Sequence, residues 1–236
     1  MNSQQLPLWS PISNQSKFDN FQVDLDSANK LLVESLRQYI LQVETTPFFF
    51  YGESGSGKTH LHIAAANLSR ELGYSNTIYI DCASESTNHN MLTMSAESQC
   101  VCLDNIDAWS ENEEAEQAIF SVVEQAKQVD SKQCLIISAI QAPKHNNFKL
   151  ADLVSRLSSG VVFELTSLND TGKSKALRQR FQERNLNVDD KVIQFLLTHF
   201  ARDNHSLFSA LDMLDKASLI EKRRLTIPFV QKVLSD

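Results

Sequence analysis

Apolar residues along this chain alternate between two periods. Short runs of contiguous apolar residues stand at Pro47-Phe48-Phe49-Phe50-Tyr51, Thr77-Ile78-Tyr79-Ile80-Asp81, Gln99-Cys100-Val101-Cys102-Leu103-Asp104-Asn105, Gln133-Cys134-Leu135-Ile136-Ile137-Ser138 and Gly160-Val161-Val162-Phe163-Glu164-Leu165. Runs of this length without a polar alternation predict strands buried on both faces. Between them the apolar positions recur at helical spacing. Leu31, Leu32, Leu36, Tyr39 and Ile40 form one helix from Ser27 to Thr45-Thr46-Pro47, and His60 to Leu68 form another that stops at Leu72-Gly73-Tyr74. Ile119, Val122, Val123 and Ala126 mark a third helix within Glu113 to Val129, and Lys149 to Ser159 a short fourth. Residues 84–98 are polar and weakly patterned. Strands that alternate with helices predict an α/β fold, a parallel sheet with helices on both faces.

The strand signal stops at Asn169. Helical patterns begin near Asp170, Asp189, Asn204 and Ile227, with Val192, Phe195, Leu196 and Phe200 on one face and Leu207, Leu211, Leu214 and Ser218 on another. The chain therefore divides into a tail, residues 1–16, an α/β domain, 17–166, and a small all-helical domain, 167–236, with Thr166-Ser167-Leu168-Asn169 as the hinge. The tail is rich in Ser, Gln, Asn and Pro, but Gln5-Leu6-Pro7-Leu8-Trp9 places three large apolar side chains in it. Two readings stand for these residues: Leu8 and Trp9 fold back on the domain, or Gln5, Leu6, Leu8 and Trp9 form a linear docking motif held extended by Pro7.

Composition narrows the class. With 42% hydrophobic and 22% charged residues the sequence is that of a soluble globular protein, and no apolar run approaches the roughly 20 residues that cross a bilayer. Met1-Asn2-Ser3-Gln4-Gln5 has neither basic residues nor an apolar stretch behind it, so a cytoplasmic location is expected. The four cysteines, Cys82, Cys100, Cys102 and Cys134, all fall in strands or strand ends, as small buried hydrophobes of a reducing compartment do, and no structural metal is expected of them. A net charge of −7 argues against a broad surface that tracks duplex DNA.

The chemistry concentrates at Gly52-Glu53-Ser54-Gly55-Ser56-Gly57-Lys58-Thr59, a P-loop between a predicted strand and a predicted helix. Its glycines let backbone N–H groups turn onto phosphate oxygens, the helix start adds its positive dipole end, Lys58 supplies a point charge and Thr59 a hydroxyl for Mg²⁺. Asp104, at the end of an apolar strand downstream, is the matching Walker B carboxylate and the second candidate metal ligand. Asn105 follows where many P-loop ATPases carry an acid that polarises water; an amide cannot accept that proton, and Asp107 stands two residues further on. Ser138, at the end of the fourth strand, is either within reach of a γ-phosphate or an ordinary capped strand end.

A P-loop α/β domain followed by a helical lid resembles the AAA+ architecture. Phe18-Asp19-Asn20-Phe21, Gly57-Lys58-Thr59-His60-Leu61 and Ser155-Arg156-Leu157 before the fifth strand resemble the bacterial DnaA initiators. Those continue into a helix-turn-helix DNA-binding domain, for which this sequence has no counterpart, so sequence-specific DNA binding is not expected. The tail, Asp104-Asn105-Ile106 and the closing Leu225-Thr226-Ile227-Pro228-Phe229-Val230 are similar to the Hda group of DnaA-related regulators.

The resemblance implies site residues position by position. Gly52, Ser54, Gly55, Ser56, Gly57, Lys58 and Thr59 match the nucleotide site, with His60, Phe21, Arg202 and His205 around it. Thr59 and Asp104 match the Mg²⁺ ligands, and Arg156 an arginine finger that acts in trans on a neighbouring subunit's triphosphate. Gln5-Leu6-Pro7-Leu8-Trp9 is similar to the peptide that docks on the DNA polymerase sliding clamp. The implied partners are DnaA and that clamp, with nucleotide-dependent self-association left open. Ile140 stands where DnaA has a sensor aspartate, and His205 where the lid has its arginine, with Arg202 one turn earlier. A neutral imidazole does not balance a γ-phosphate as arginine does. With Asn105, these departures imply a protein that holds a nucleotide, ADP by preference, better than it hydrolyses ATP. A self-sufficient AAA+ ATPase or helicase loader is the rival reading, and a small-molecule kinase a third.

Overall fold

A computed structural model describes residues 16–23, 28–128, 130–184, 186, 188–200, 204–221 and 223–235. Gln5, Leu6, Leu8, Trp9 and Arg202 lie outside the described residues, and so does the side chain of His205. The described residues fall into two compact units, one within 16–21, 28–53 and 57–165, the other within 22–23, 54–56 and 166–235.

The first unit is built on five parallel strands: β1 (Phe48–Tyr51), β2 (Thr77–Asp81), β3 (Cys100–Asp104), β4 (Cys134–Ala139) and β5 (Val161–Glu164), in the order β2-β3-β4-β1-β5. Every residue of β3 and β4 is buried, which is why these strands read as unbroken apolar runs. In β1 the three phenylalanines divide between the faces. Phe48 and Phe50 pack with Leu32, Leu36 and Ile40 of α1 (Ala28–Gln42) and Leu61 and Ala65 of α2 (Lys58–Glu71). Phe49 joins Ile119 and Val123 of α3 (Glu113–Ala126) and Leu153 and Leu157 of α4 (Ala151–Ser158) on the other face.

Some local expectations give way. Leu31 is exposed, and α1 buries only Leu32, Leu36, Tyr39 and Ile40 of its apolar series. The weakly patterned stretch before β3 contains a 3₁₀ segment, His89–Glu97, whose start is capped by the side chain of Asn88. Tyr39 reaches across from α1 to Leu135 of β4, accepting its N–H at 2.9 Å and donating to its carbonyl at 3.2 Å. At the far edge, the turn from α4 into β5 passes the β1 entry so closely that a side chain on Gly160 would stand 2.3 Å from the carbonyl oxygen of Pro47.

The second unit holds α5 (Asp170–Glu183), α6 (Asp190–Phe200), α7 (Asn204–Glu221) and α8 (Ile227–Ser235). Its own core includes Leu177, Phe181, Ile193, Leu196, Leu211, Leu214 and Val230. Asn169 caps α5, accepting the N–H of Gly172 at 2.8 Å.

Candidate functional site: a P-loop and its carboxylate

β1 ends at Tyr51 and the chain turns at once into the P-loop, with the N–H of Gly52 bonded to the carbonyl of Ala139 at 3.2 Å. β4 and β5 flank β1, so the chain that leaves through the P-loop must return to the sheet at its far edge as β2. Such a switch at the carboxyl ends of parallel strands is where α/β sheets take their ligands.

Gly55 and Gly57 have φ of 76° and 108°, conformations that turn the loop onto the start of α2. The N–H of Leu61 donates to the carbonyl of Gly57 at 3.1 Å, so Gly57 sits at the start of α2, where the helix dipole has its positive end. The hydroxyl of Ser56 is buried without a hydrogen-bond partner among the described residues. Lys58 is largely buried and donates to the carbonyls of Gly52 and Glu53 at 2.8 and 3.1 Å. Burial pushes its pKa down, and the charges of Asp104 and Asp107 oppose that shift. A helix N-terminus, an unpaired buried hydroxyl and an ammonium fit the phosphates of a nucleotide.

Around this loop, Phe21 lies against Gly57 and its ring centroid is 5.3 Å from that of His60. The His60 Nε2 sits 3.0 Å from the carbonyl oxygen of Lys17. Phe21 and His60 thus come together at the first turn of α2, while Ser54 is exposed on the loop.

Asp104 is fully buried and is the most heavily bonded group in the site. Thr59 Oγ1 donates to its Oδ2 at 2.6 Å, Tyr79 OH donates to the same oxygen at 3.1 Å, and Ser138 Oγ donates to Oδ1. Ser138 is therefore a prop for the carboxylate; its hydroxyl is committed to Asp104 and does not reach for a phosphate. The Thr59 hydroxyl and Asp104 carboxylate offer the hard oxygen donors that suit Mg²⁺ and would hold it beside a bound phosphate. An ion held by these two residues would supply positive charge to offset that of the bound phosphates.

Two neighbours of Asp104 escape the sequence reading. Tyr79 projects from β2, and burial beside Asp104 and Asp81 raises its pKa, which keeps it a donor. His62, on α2, is entirely buried with Nε2 3.7 Å from Asp104 Oδ1, and neither ring nitrogen has a hydrogen-bond partner among the described residues. Its ring packs 5.0 Å from Phe50 and 6.2 Å from Tyr79 between centroids, and burial lowers its pKa. Both residues read as ordinary members of apolar elements, and only the fold converges them on one carboxylate.

Asn105 and Asp107 are both engaged within the protein. Asn105 takes a left-handed conformation, φ 55°, and its amide donates to Asp81 at 3.0 Å. Asp107 accepts the N–H of Ile140 at 2.9 Å, and the Ile140 side chain itself is exposed. Arg156 lies elsewhere. It sits toward the end of α4, just before β5 begins opposite Phe48, whereas the P-loop follows the other end of β1. The guanidinium is thus near the amino edge of the sheet, away from its own P-loop, and pairs with Glu124 of α3 at 2.7 Å.

Residues 12–164 match the bacterial DnaA ATPase domain, and residues 170–234 match the Hda lid domain. The chain belongs to the DnaA-related AAA+ family. An uncharacterised protein of Haemophilus influenzae is 38% identical over 234 residues, which span 99% of both chains. Domain III of the Thermotoga maritima replication initiation protein DnaA shares the fold with a TM-score of 0.79 at 17% identity, covering 96% of this chain and 98% of that one. AMPPCP-bound DnaA from Aquifex aeolicus matches with a TM-score of 0.71 at 22% identity, over 90% of this chain and 68% of its own. Within this family the chain pairs a DnaA-type ATPase domain with an Hda-type lid. No helix among the described residues is long and apolar enough to cross a membrane.

Proposed function

We propose that this DnaA-related AAA+ protein holds ADP with Mg²⁺ at its P-loop and regulates replication initiation by stimulating the hydrolysis of DnaA-bound ATP. The observation that carries the reading is the position of Arg156: exposed on α4, near the sheet edge opposite the P-loop, its guanidinium suits another subunit's triphosphate better than its own. There it would stabilise charge on the transferring phosphoryl group, an effect worth roughly 10³–10⁵ in rate where such fingers have been dissected. The nucleotide acts as a structural element. It fixes the α/β domain, 17–166, and the lid, 167–236, while Gln5, Leu6, Leu8 and Trp9 of the tail dock on the sliding clamp and tether the cytoplasmic regulator to it.

Support for a weak intrinsic ATPase comes from Asn105, whose amide is bonded to Asp81 and cannot take a proton from water. Asp107, whose charge opposes the burial-driven fall of the Lys58 pKa, favours the rival of a self-sufficient ATPase, and steady-state turnover of the isolated protein separates the two. The deciding experiment mixes the protein with DnaA·ATP and clamp loaded on DNA. Hydrolysis should accelerate, Arg156→Ala should abolish the gain, and deletion of residues 4–9 should abolish clamp binding. Undiminished stimulation by Arg156→Ala would refute the finger. Sedimentation with ADP and without nucleotide tests self-association.

A further inference from the structure

Polar contacts from α3 and the segments beside it fix α4 at both ends. Glu116, fully buried on α3, accepts the N–H groups of Lys149 and Leu150 at 3.1 and 2.7 Å, just before α4 begins. At the other end Ser159 Oγ donates to the carbonyl of Arg156 at 2.8 Å, and Lys127 Nζ donates to Ser159 Oγ at 3.2 Å. Leu153 and Leu157 are fully buried beneath. The backbone of Arg156 is therefore held, and what remains variable is its long side chain.

Glu124, further along α3, removes that variability. Its Oε1 lies 2.7 Å from Arg156 Nε, and Arg156 Nη2 donates to Oε2 at 3.3 Å. The close ion pair at Nε and the single hydrogen bond from Nη2 hold the guanidinium on its Nε side and leave Nη1 without a partner among the described residues. Phosphate recognition by arginine depends on which donors the rigid fork presents. We infer that Glu124 is a positioning residue, which grips Arg156 by its Nε side and presents Nη1 to the triphosphate of another subunit. The inference rests on the reading of Arg156 as a finger in trans. The side chains are 45% and 38% exposed, and a pair so exposed contributes little to folding, so its removal should leave the fold intact.

The test uses the full chain with DnaA·ATP and DNA-loaded clamp, titrated to saturation. Glu124→Ala should lower the maximal stimulated rate about tenfold while the half-saturating concentration stays within about twofold, since orientation acts on the transition state and not on docking. Glu124→Gln keeps an acceptor oxygen and should recover most of the rate. An unchanged or higher maximal rate in Glu124→Ala overturns the inference, the higher rate marking the pair as a latch. So does a change confined to the half-saturating concentration, which would mark a docking contact. Arg156→Ala runs alongside: if it loses stimulation while Glu124→Ala does not, positioning alone fails; if it keeps stimulation, the finger reading itself fails.

Discussion

The hydroxyl of Thr59 and the carboxylate of Asp104 lie 2.6 Å apart, tying the first turn of α2 to the end of β3. The same two oxygens are the ligands proposed for Mg²⁺ beside a bound nucleotide. Thr59→Ala removes one of them without touching the phosphate-binding backbone. It should weaken ADP binding about tenfold in Mg²⁺ and leave binding in EDTA unchanged, as read by calorimetric titration. Equal affinities for both proteins in Mg²⁺ would exclude Thr59 as a ligand.

Lys58 is held by two loop carbonyls in a buried position that disfavours its charge. Its folded pKa lies below that of the unfolded chain, so stability should rise with pH as the folded group loses its proton while the unfolded one keeps it. Lys58→Met removes a buried cation together with a phosphate ligand. The nucleotide-free variant should melt higher than the parent near neutral pH, and saturating ADP should raise the parent's melting temperature but not the variant's.

Much of this arrangement was legible in the sequence because it is local. Gly52 to Thr59 carries its own strand, turn and helix signals, and β3 and β4 are apolar throughout because both faces of the sheet are covered. What the sequence concealed depends on distant pairing. Glu116 looks like one more acid in the first turn of an amphipathic helix, yet it is buried because the loop before α4 lays backbone donors over it. Glu124 looks like a solvated charge until α4 sets Arg156 beside it. His62 and Tyr79 belong to apolar patterns, and no spacing rule links residues of α2 and β2 to a carboxylate on β3.

Glu116 accepts three backbone N–H groups, from Glu111, Lys149 and Leu150. Hydrogen bonds to a charged acceptor contribute about 1.5–3 kcal/mol each, but their loss is partly offset because the carboxylate is no longer desolvated. Glu116→Ala should therefore cost about 3 kcal/mol in denaturant unfolding, and Glu116→Gln less, because one acceptor oxygen remains. A loss under about 0.5 kcal/mol would mean the acid is solvated and the contacts carry no weight.

Gly57 combines a φ of 108° with close contact to Phe21, whose Cε2 would stand 2.7 Å from an added Cβ. Gly57→Ala should cost about 1–3 kcal/mol and weaken nucleotide binding, both through the backbone and by displacing the ring. Phe21→Ala relieves only the steric part. The double variant should thus regain a fraction of the stability lost, and full recovery would show that the left-handed backbone itself costs nothing.

His62 gives the protein a predictable weakness in acid. The ring is buried without a hydrogen-bond partner, and its folded pKa is lowered from 6.5 by that burial. A base with a depressed folded pKa binds its proton more readily in the unfolded chain. Stability is therefore intact above about pH 6.5 and falls as pH drops below that value toward the lower folded pKa. Asp104, 3.7 Å from Nε2, opposes the shift without cancelling it. His62→Phe keeps an aromatic ring between Phe50 and Tyr79 and cannot titrate. Its unfolding free energy, followed by denaturant titration, should fall less between pH 7 and 5 than that of the parent. Parallel curves would show that the imidazole takes up its proton in the folded state as readily as in the unfolded one.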